Sequence, residues 1–191
     1  MINYKDIEFL PIDLPKIDIP STLRSVRIGD EWRWWNFTRL TLKTPNYGIS
    51  PWLDIPEWKW LRSWITDHLP IDRVVHVKVN RQLCPTDPHI DFVNPEHNVD
   101  LYQHNNSIEP CGYRIVLTGR RDGLLVGDNK HTYLPEETNV YCIRHTETVH
   151  QTLPDDNRMM VFVHAWMDTE RHYRILEQSV KRYEKYIVFR K

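Results

Sequence analysis

The sequence predicts a mainly β protein, an antiparallel sandwich or barrel flanked by two helices. Three observations carry this reading. From residue 73 to 167, short alternating apolar runs follow at close spacing, broken by Asp122-Gly123, Gly127-Asp-Asn129, Pro135-Glu-Glu137 and Pro154-Asp-Asp-Asn157. Turn chemistry between period-2 runs belongs to antiparallel strands, not to βαβ units. Helical periodicity is confined to one stretch before that block and one after it. Finally, the 191 residues are 40% apolar and 27% charged, the size and balance of a single globular domain, and no repeat or long linker divides them.

The first twenty residues alternate apolar side chains with Asp and Pro and read as an extended arm laid on the domain surface. An aromatic block, Glu31 to Phe37, leads into Thr38–Lys43, whose alternation suggests a strand. The segment Ile55–His68 predicts a helix, with Pro56 suited to its first turn and Pro70 as its stop. Trp58, Leu61, Trp64 and Ile65 form its apolar stripe, and such a stripe packs against a sheet.

Strands are then expected at Arg73–Gln82, Gly112–Thr118, Leu124–Val126, His131–Leu134, Val140–Arg144, Thr148–Leu153 and Arg158–Met167. Arg120 and Arg121 read as a solvated hairpin tip, and Asp155 and Asp156 as turn residues. A second helix is expected over Glu170–Tyr186, with Tyr173, Leu176, Val180 and Tyr183 on one side. Residues 1–70 thus form an arm and a Trp-rich helical flank, 73–167 the β core, and 168–191 a closing helix and tail.

Charge and cysteine usage exclude several classes of function. The 25 basic and 26 acidic residues leave a net charge of −1, without the basic excess that gripping nucleic acid requires. No run approaches the length of a membrane span, and the acidic, proline-bearing N-terminus lacks the pattern of a signal peptide, so a cytoplasmic protein is expected. Cys84, Cys111 and Cys142 are odd in number and lack metal-site spacing, so they are expected reduced, as small apolar residues.

The chemistry-bearing candidates begin at Pro88-His-Ile-Asp-Phe92. On an extended chain His89 and Asp91 point to the same face, where an imidazole nitrogen and a carboxylate oxygen can flank one metal ion. The spacing alone means little, since His145-Thr-Glu147 repeats it. Context separates them: His150 follows on a later strand, and Arg158 opens the next. Two histidines and a carboxylate make a facial triad with three positions open, and a deeper arginine can clamp an anionic co-substrate through its guanidinium fork. Seven other histidines, His76, His97, His104, His131, His145, His164 and His172, read as surface or hydrogen-bonded side chains.

From about Val74 to Met167 the chain resembles the iron(II)/2-oxoglutarate-dependent oxygenases, and within them the aspartyl/asparaginyl β-hydroxylase-like branch. The resemblance rests on Val77-Lys-Val-Asn80, His89-Ile-Asp91, Gly112-Tyr-Arg-Ile-Val-Leu117, Val149-His150 and Asn157-Arg158. It implies a double-stranded β-helix, the jelly-roll barrel shared with cupins. It also implies His89, Asp91 and His150 as iron(II) ligands, with 2-oxoglutarate and O2 as co-substrates. Arg158 would anchor the distal carboxylate of 2-oxoglutarate, and Arg114 would approach it from the opposite wall. The expected activity is hydroxylation of an unactivated C–H bond in a peptide side chain, an amino acid or a small metabolite. Two rivals stand beside it: a β-barrel binding module without turnover, and a cupin-like metalloenzyme of other chemistry.

Overall fold

In the computed structural model, residues 3–21, 32–36, 58–82, 85–91, 112–145 and 147–191 are described. In chain order the strands are β1 (Ile7–Pro11), β2 (Trp32–Asn36), β3 (Ile71–Gln82), β4 (Gly112–Thr118), β5 (Leu124–Val126), β6 (Lys130–His131), β7 (Val140–Ile143), β8 (His150–Thr152), β9 (Met159–Met167) and β10 (Val188–Phe189). Helix α1 (Lys59–His68) lies between β2 and β3, and α2 (Thr169–Tyr183) between β9 and β10. The protein is mainly β with two helices, and its strands pair antiparallel.

The strands form two sheets, a seven-stranded one in the order β10-β1-β7-β4-β9-β3-β2 and a three-stranded one in the order β6-β5-β8. The large sheet is covered on both faces, and its alternation shows how. Tyr113, Ile115 and Leu117 of β4, with Met159, Val161 and Val163 of β9, share a cluster with Leu61 and Ile65 of α1 and Ile175, Leu176 and Val180 of α2. Val116, Met160, Tyr141 and Phe9 pack with Leu124 and Val126 of the small sheet. Odd and even positions of one strand therefore feed two cores, with helices against one face and the small sheet against the other.

Helix α1 begins at Lys59, its stop at Leu69–Pro70 is the expected one, and Pro56 lies outside the described residues. Trp58, Leu61 and Ile65 are buried in the core and Trp64 packs partly against it, as its spacing predicts. Asp168 caps α2 by accepting from the Arg171 amide at 3.1 Å. Leu176, Val180 and Tyr183 are buried along the expected face. The helix ends at Tyr183, and Glu184–Tyr186 tightens into a single 3-10 turn.

Four expectations need correction. The N-terminal segment is not a surface arm: β1 sits between β7 and β10, and all five of its residues are buried. Glu8 can be buried there because Lys130 Nζ lies 2.9 Å from its carboxylate. The aromatic block contributes a strand of its own, β2, registered from Trp32 opposite Gln82 to Asn36 opposite Lys78; the strand expected at Thr38–Lys43 lies outside the described residues. Several strands are shorter than the apolar runs suggest; residues 133–134, for example, leave the small sheet, with the Leu134 amide donating to the Arg121 carbonyl at 2.9 Å. Arg121 is no solvated tip, since its guanidinium donates to the carbonyls of Leu134, Pro135 and Thr138 and clamps that loop. Asp155 does serve as a turn residue, accepting from the backbone amides of Arg120 at 2.6 Å and Asn157 at 2.9 Å. Cys142 is buried in the helix-side core, as expected of a small apolar residue, and Cys84 and Cys111 lie outside the described residues.

Candidate metal centre

The segment 85–91 runs beside β8 as a partial fourth strand of the small sheet. His89 and His150 face each other in an antiparallel bridge, their amides and carbonyls exchanging hydrogen bonds of 3.0 and 2.7 Å. Thr86 and Thr152 extend the contact through their backbones and hydroxyls. The Asp91 amide then donates to the His145 carbonyl at 2.8 Å, which fixes the end of the segment. That turn is in turn held by the amides of Glu147 and Thr148, which both donate to the Arg144 carbonyl.

This pairing brings His89, Asp91 and His150 together, with one ligand atom from each lying within 4.8 Å of the others. His89 Nε2 is 3.8 Å and His150 Nε2 3.6 Å from the same oxygen, Asp91 Oδ1. The two rings lie 4.5 Å apart between centroids. On the far side of each ring, Nδ1 meets a backbone carbonyl: Asp87 at 2.7 Å for His89 and Thr148 at 2.9 Å for His150. A carbonyl can only accept, so each Nδ1 carries a proton and each Nε2 is the nitrogen left facing Asp91. Metal-binding histidines are oriented by such carbonyl contacts.

The donor set fits a divalent transition metal. Two imidazoles and one carboxylate, without thiolate, suit iron(II) among the borderline ions and leave open coordination positions. The His150 side chain is only 7% exposed while that of His89 is 42% exposed, so the cluster opens to solvent on one side.

Arg114 reaches this cluster from β4 and is almost wholly buried. Its Nη2 donates to Asp91 Oδ2 at 2.7 Å, its Nη1 to the Tyr113 carbonyl at 3.2 Å, and its guanidinium lies 4.5 Å from the centre of the Phe162 ring. Burial pushes the Asp91 carboxyl up, but the His150 ring and the Arg114 charge outweigh it and hold the group well below the usual carboxylate range. Asp91 is therefore an anion ready to bind metal.

Arg158 lies between the two sheets in a pocket also lined by Val116, Tyr141 and Met160 of the large sheet and Thr152 of the small one. Its Nη2 donates to the carbonyls of Leu153 at 2.6 Å and Gly123 at 3.2 Å, whereas its buried Nη1 has no partner. Among the described residues no carboxylate pairs with it. Burial pushes its pKa down, with Asp155 and Tyr141 opposing the effect. A buried cation with an unused donor is a ready partner for an anion.

Sequence reasoning missed two residues of this region. Tyr141 lines the Arg158 pocket, and its β7 position pairs with Arg114 of β4. Burial pushes its hydroxyl up to about 12, which keeps it a neutral donor. His145 was a member of the rival pair, but the fold separates the two: Glu147 pairs with Arg144, while His145 is buried beside Asp91 and Arg114. Burial, reinforced by Arg114, pushes the His145 pKa down to about 3. Tyr141 carries no spacing signal, and the spacing of His145 points to Glu147; the contacts of both residues depend on partners across strands.

No protein-family model matches the chain, and comparison with curated proteins finds no significant match.

Proposed function

We propose that this protein is a non-haem iron(II) dioxygenase that uses 2-oxoglutarate and O2 to hydroxylate an unactivated C–H bond, on a jelly-roll scaffold of the double-stranded β-helix type. The observation that carries the reading is the convergence of His89 Nε2, His150 Nε2 and Asp91 Oδ1, with both Nδ1 atoms committed to backbone carbonyls. The two sheets sharing a core, with the cluster on the small sheet, are consistent with that scaffold. Arg158 and its pocket support the choice of co-substrate.

His89, Asp91 and His150 would hold the metal. When bound, iron(II) supplies the oxygen chemistry, coupling C–H oxidation to conversion of 2-oxoglutarate into succinate and CO2. The chain's own work is binding and orientation. Arg158 Nη1 would receive the distal carboxylate, and the apolar walls of Val116 and Met160 would exclude water along its stem. The Tyr141 hydroxyl, held neutral, can donate to the same ligand without adding negative charge. No general base is needed, and no paired-carboxylate or nucleophile–base arrangement was found in the sequence.

The substrate is a peptide side chain, an amino acid or a small metabolite rather than nucleic acid, in keeping with the net charge of −1. Among the described residues no helix is long and apolar enough to cross a membrane; a cytoplasmic location is part of the proposal. The test is iron-dependent formation of succinate from 2-oxoglutarate, with mass spectrometry of candidate substrates for the gain of one oxygen. Succinate formation that is absent with iron(II), O2 and 2-oxoglutarate supplied, across amino acids and peptides, argues for the binding-module or other cupin-like reading.

A further inference from the structure

The two carboxylate oxygens of Asp91 have different neighbours. Oδ1 faces both histidine Nε2 atoms at 3.6 and 3.8 Å, while Oδ2 accepts from Arg114 Nη2 at 2.7 Å. Arg114 is itself fixed: it is 1% exposed, bonded to the Tyr113 carbonyl and stacked over Phe162. A guanidinium held this firmly is a rigid stop, not a mobile counter-charge.

We propose that Arg114 is the positioning residue of the metal centre: by occupying Asp91 Oδ2, it makes Asp91 a one-oxygen ligand and keeps a position open for a two-point chelating co-substrate. The inference rests on the metal-centre reading and departs from the expectation that Arg114 grips 2-oxoglutarate itself. A carboxylate binds a metal through one oxygen or two. With Oδ2 released, Asp91 closes onto the ion through both oxygens and fills a position that a 2-oxo acid needs. Arg114 is thereby spoken for, and the anion-binding role falls to Arg158, whose buried Nη1 has no partner and which lies in the pocket between the sheets.

The test uses cobalt(II) as a redox-inert probe and compares wild type, Arg114→Met and Arg114→Lys by calorimetry. Oxalate and 2-oxoglutarate are titrated into each cobalt-loaded protein; oxalate chelates through two oxygens but has no distant carboxylate. Wild type and Arg114→Met should both take up one cobalt ion. Arg114→Met should then lose roughly ten- to a hundredfold in affinity for both chelators alike, the usual scale for removing an outer partner of a metal ligand. Arg114→Lys, which can still hold Oδ2, should recover most of both losses, and it keeps the test decisive if the Met variant folds poorly. A loss for 2-oxoglutarate alone would overturn the proposal and make Arg114 a carboxylate anchor. Unchanged affinity for both would reduce Arg114 to a packing residue and overturn it equally. Failure of wild type to bind cobalt is a different result, and it removes the metal-centre reading beneath the inference.

Discussion

Replacing Arg158 with alanine should separate affinity for 2-oxoglutarate from affinity for the metal. The side chain is 3% exposed, and of its guanidinium donors Nη2 serves Leu153 and Gly123 while Nη1 serves nothing. A ligand carboxylate seated at Nη1 is desolvated, and removing a directly bonded cationic partner from a buried charge costs about 3–5 kcal/mol. At about 1.4 kcal/mol per decade, that is roughly two to three decades in the dissociation constant. Arg158→Ala should therefore raise the constant for 2-oxoglutarate at least tenfold more than Arg114→Ala does, while cobalt and oxalate bind nearly as in wild type. Arg158→Lys should rescue only part of the loss, because a point charge does not reproduce the two-pronged fork. The variant also strips a donor from two carbonyls, so its melting temperature will fall. Calorimetry on metal-loaded protein below that temperature reads binding separately from stability. A folded Arg158→Ala protein with wild-type affinity for 2-oxoglutarate would refute the assignment.

Three further outcomes are expected. His89→Ala, Asp91→Ala and His150→Ala should each abolish stoichiometric metal binding with far-ultraviolet circular dichroism preserved; wild-type iron content in either histidine variant contradicts the cluster. Trp58 is buried among the helix-side core residues, and Trp58→Ala should cost about 3–5 kcal/mol and lower Tm by roughly 6–20 °C. Unchanged stability with lost substrate affinity would instead make this region a recognition surface. His172, whose Nδ1 lies 2.8 Å from the Tyr113 hydroxyl, is pushed down to about 4 by burial. The unfolded chain takes up that proton first, so the contribution of His172 to stability is complete above about pH 6.5 and is lost toward pH 4, by up to about 1.4 kcal/mol per pH unit. Denaturant melts of His172→Gln across that window should show a flatter pH dependence than wild type, and an identical slope would contradict the reasoning.

Much of the site was legible because its signal is local. A two-residue spacing on an extended chain sets His89 and Asp91 on one face whatever the rest of the fold does. The apolar alternation of β4 and β9 is likewise written in their own side chains, and the apolar stripes of both helices matched their buried faces. What escaped depends on partners distant in sequence. β1 reads as a surface arm because Glu8 is an acid, and the positions of Lys130 and Arg190 across the fold make its burial tolerable. β10 is two residues long and exists because it pairs with β1. Arg121 beside an Asp-Gly turn reads as solvated, yet the carbonyls of the 134–138 loop need donors and draw it inward. Arg114 was visible as a strand arginine, but which anion it serves depends on the register that sets β4 beneath Asp91.

The most direct measurement is the visible spectrum of the protein under anaerobic conditions with iron(II) and 2-oxoglutarate together. If His89, Asp91 and His150 hold the ion with positions free for chelation, a weak charge-transfer band should appear only when both components are present. It should saturate at one iron per chain and be lost in His150→Ala. A spectrum with both components that equals the sum of the two taken separately, at concentrations that saturate metal binding, would contradict the assignment of this protein as a 2-oxoglutarate-dependent oxygenase.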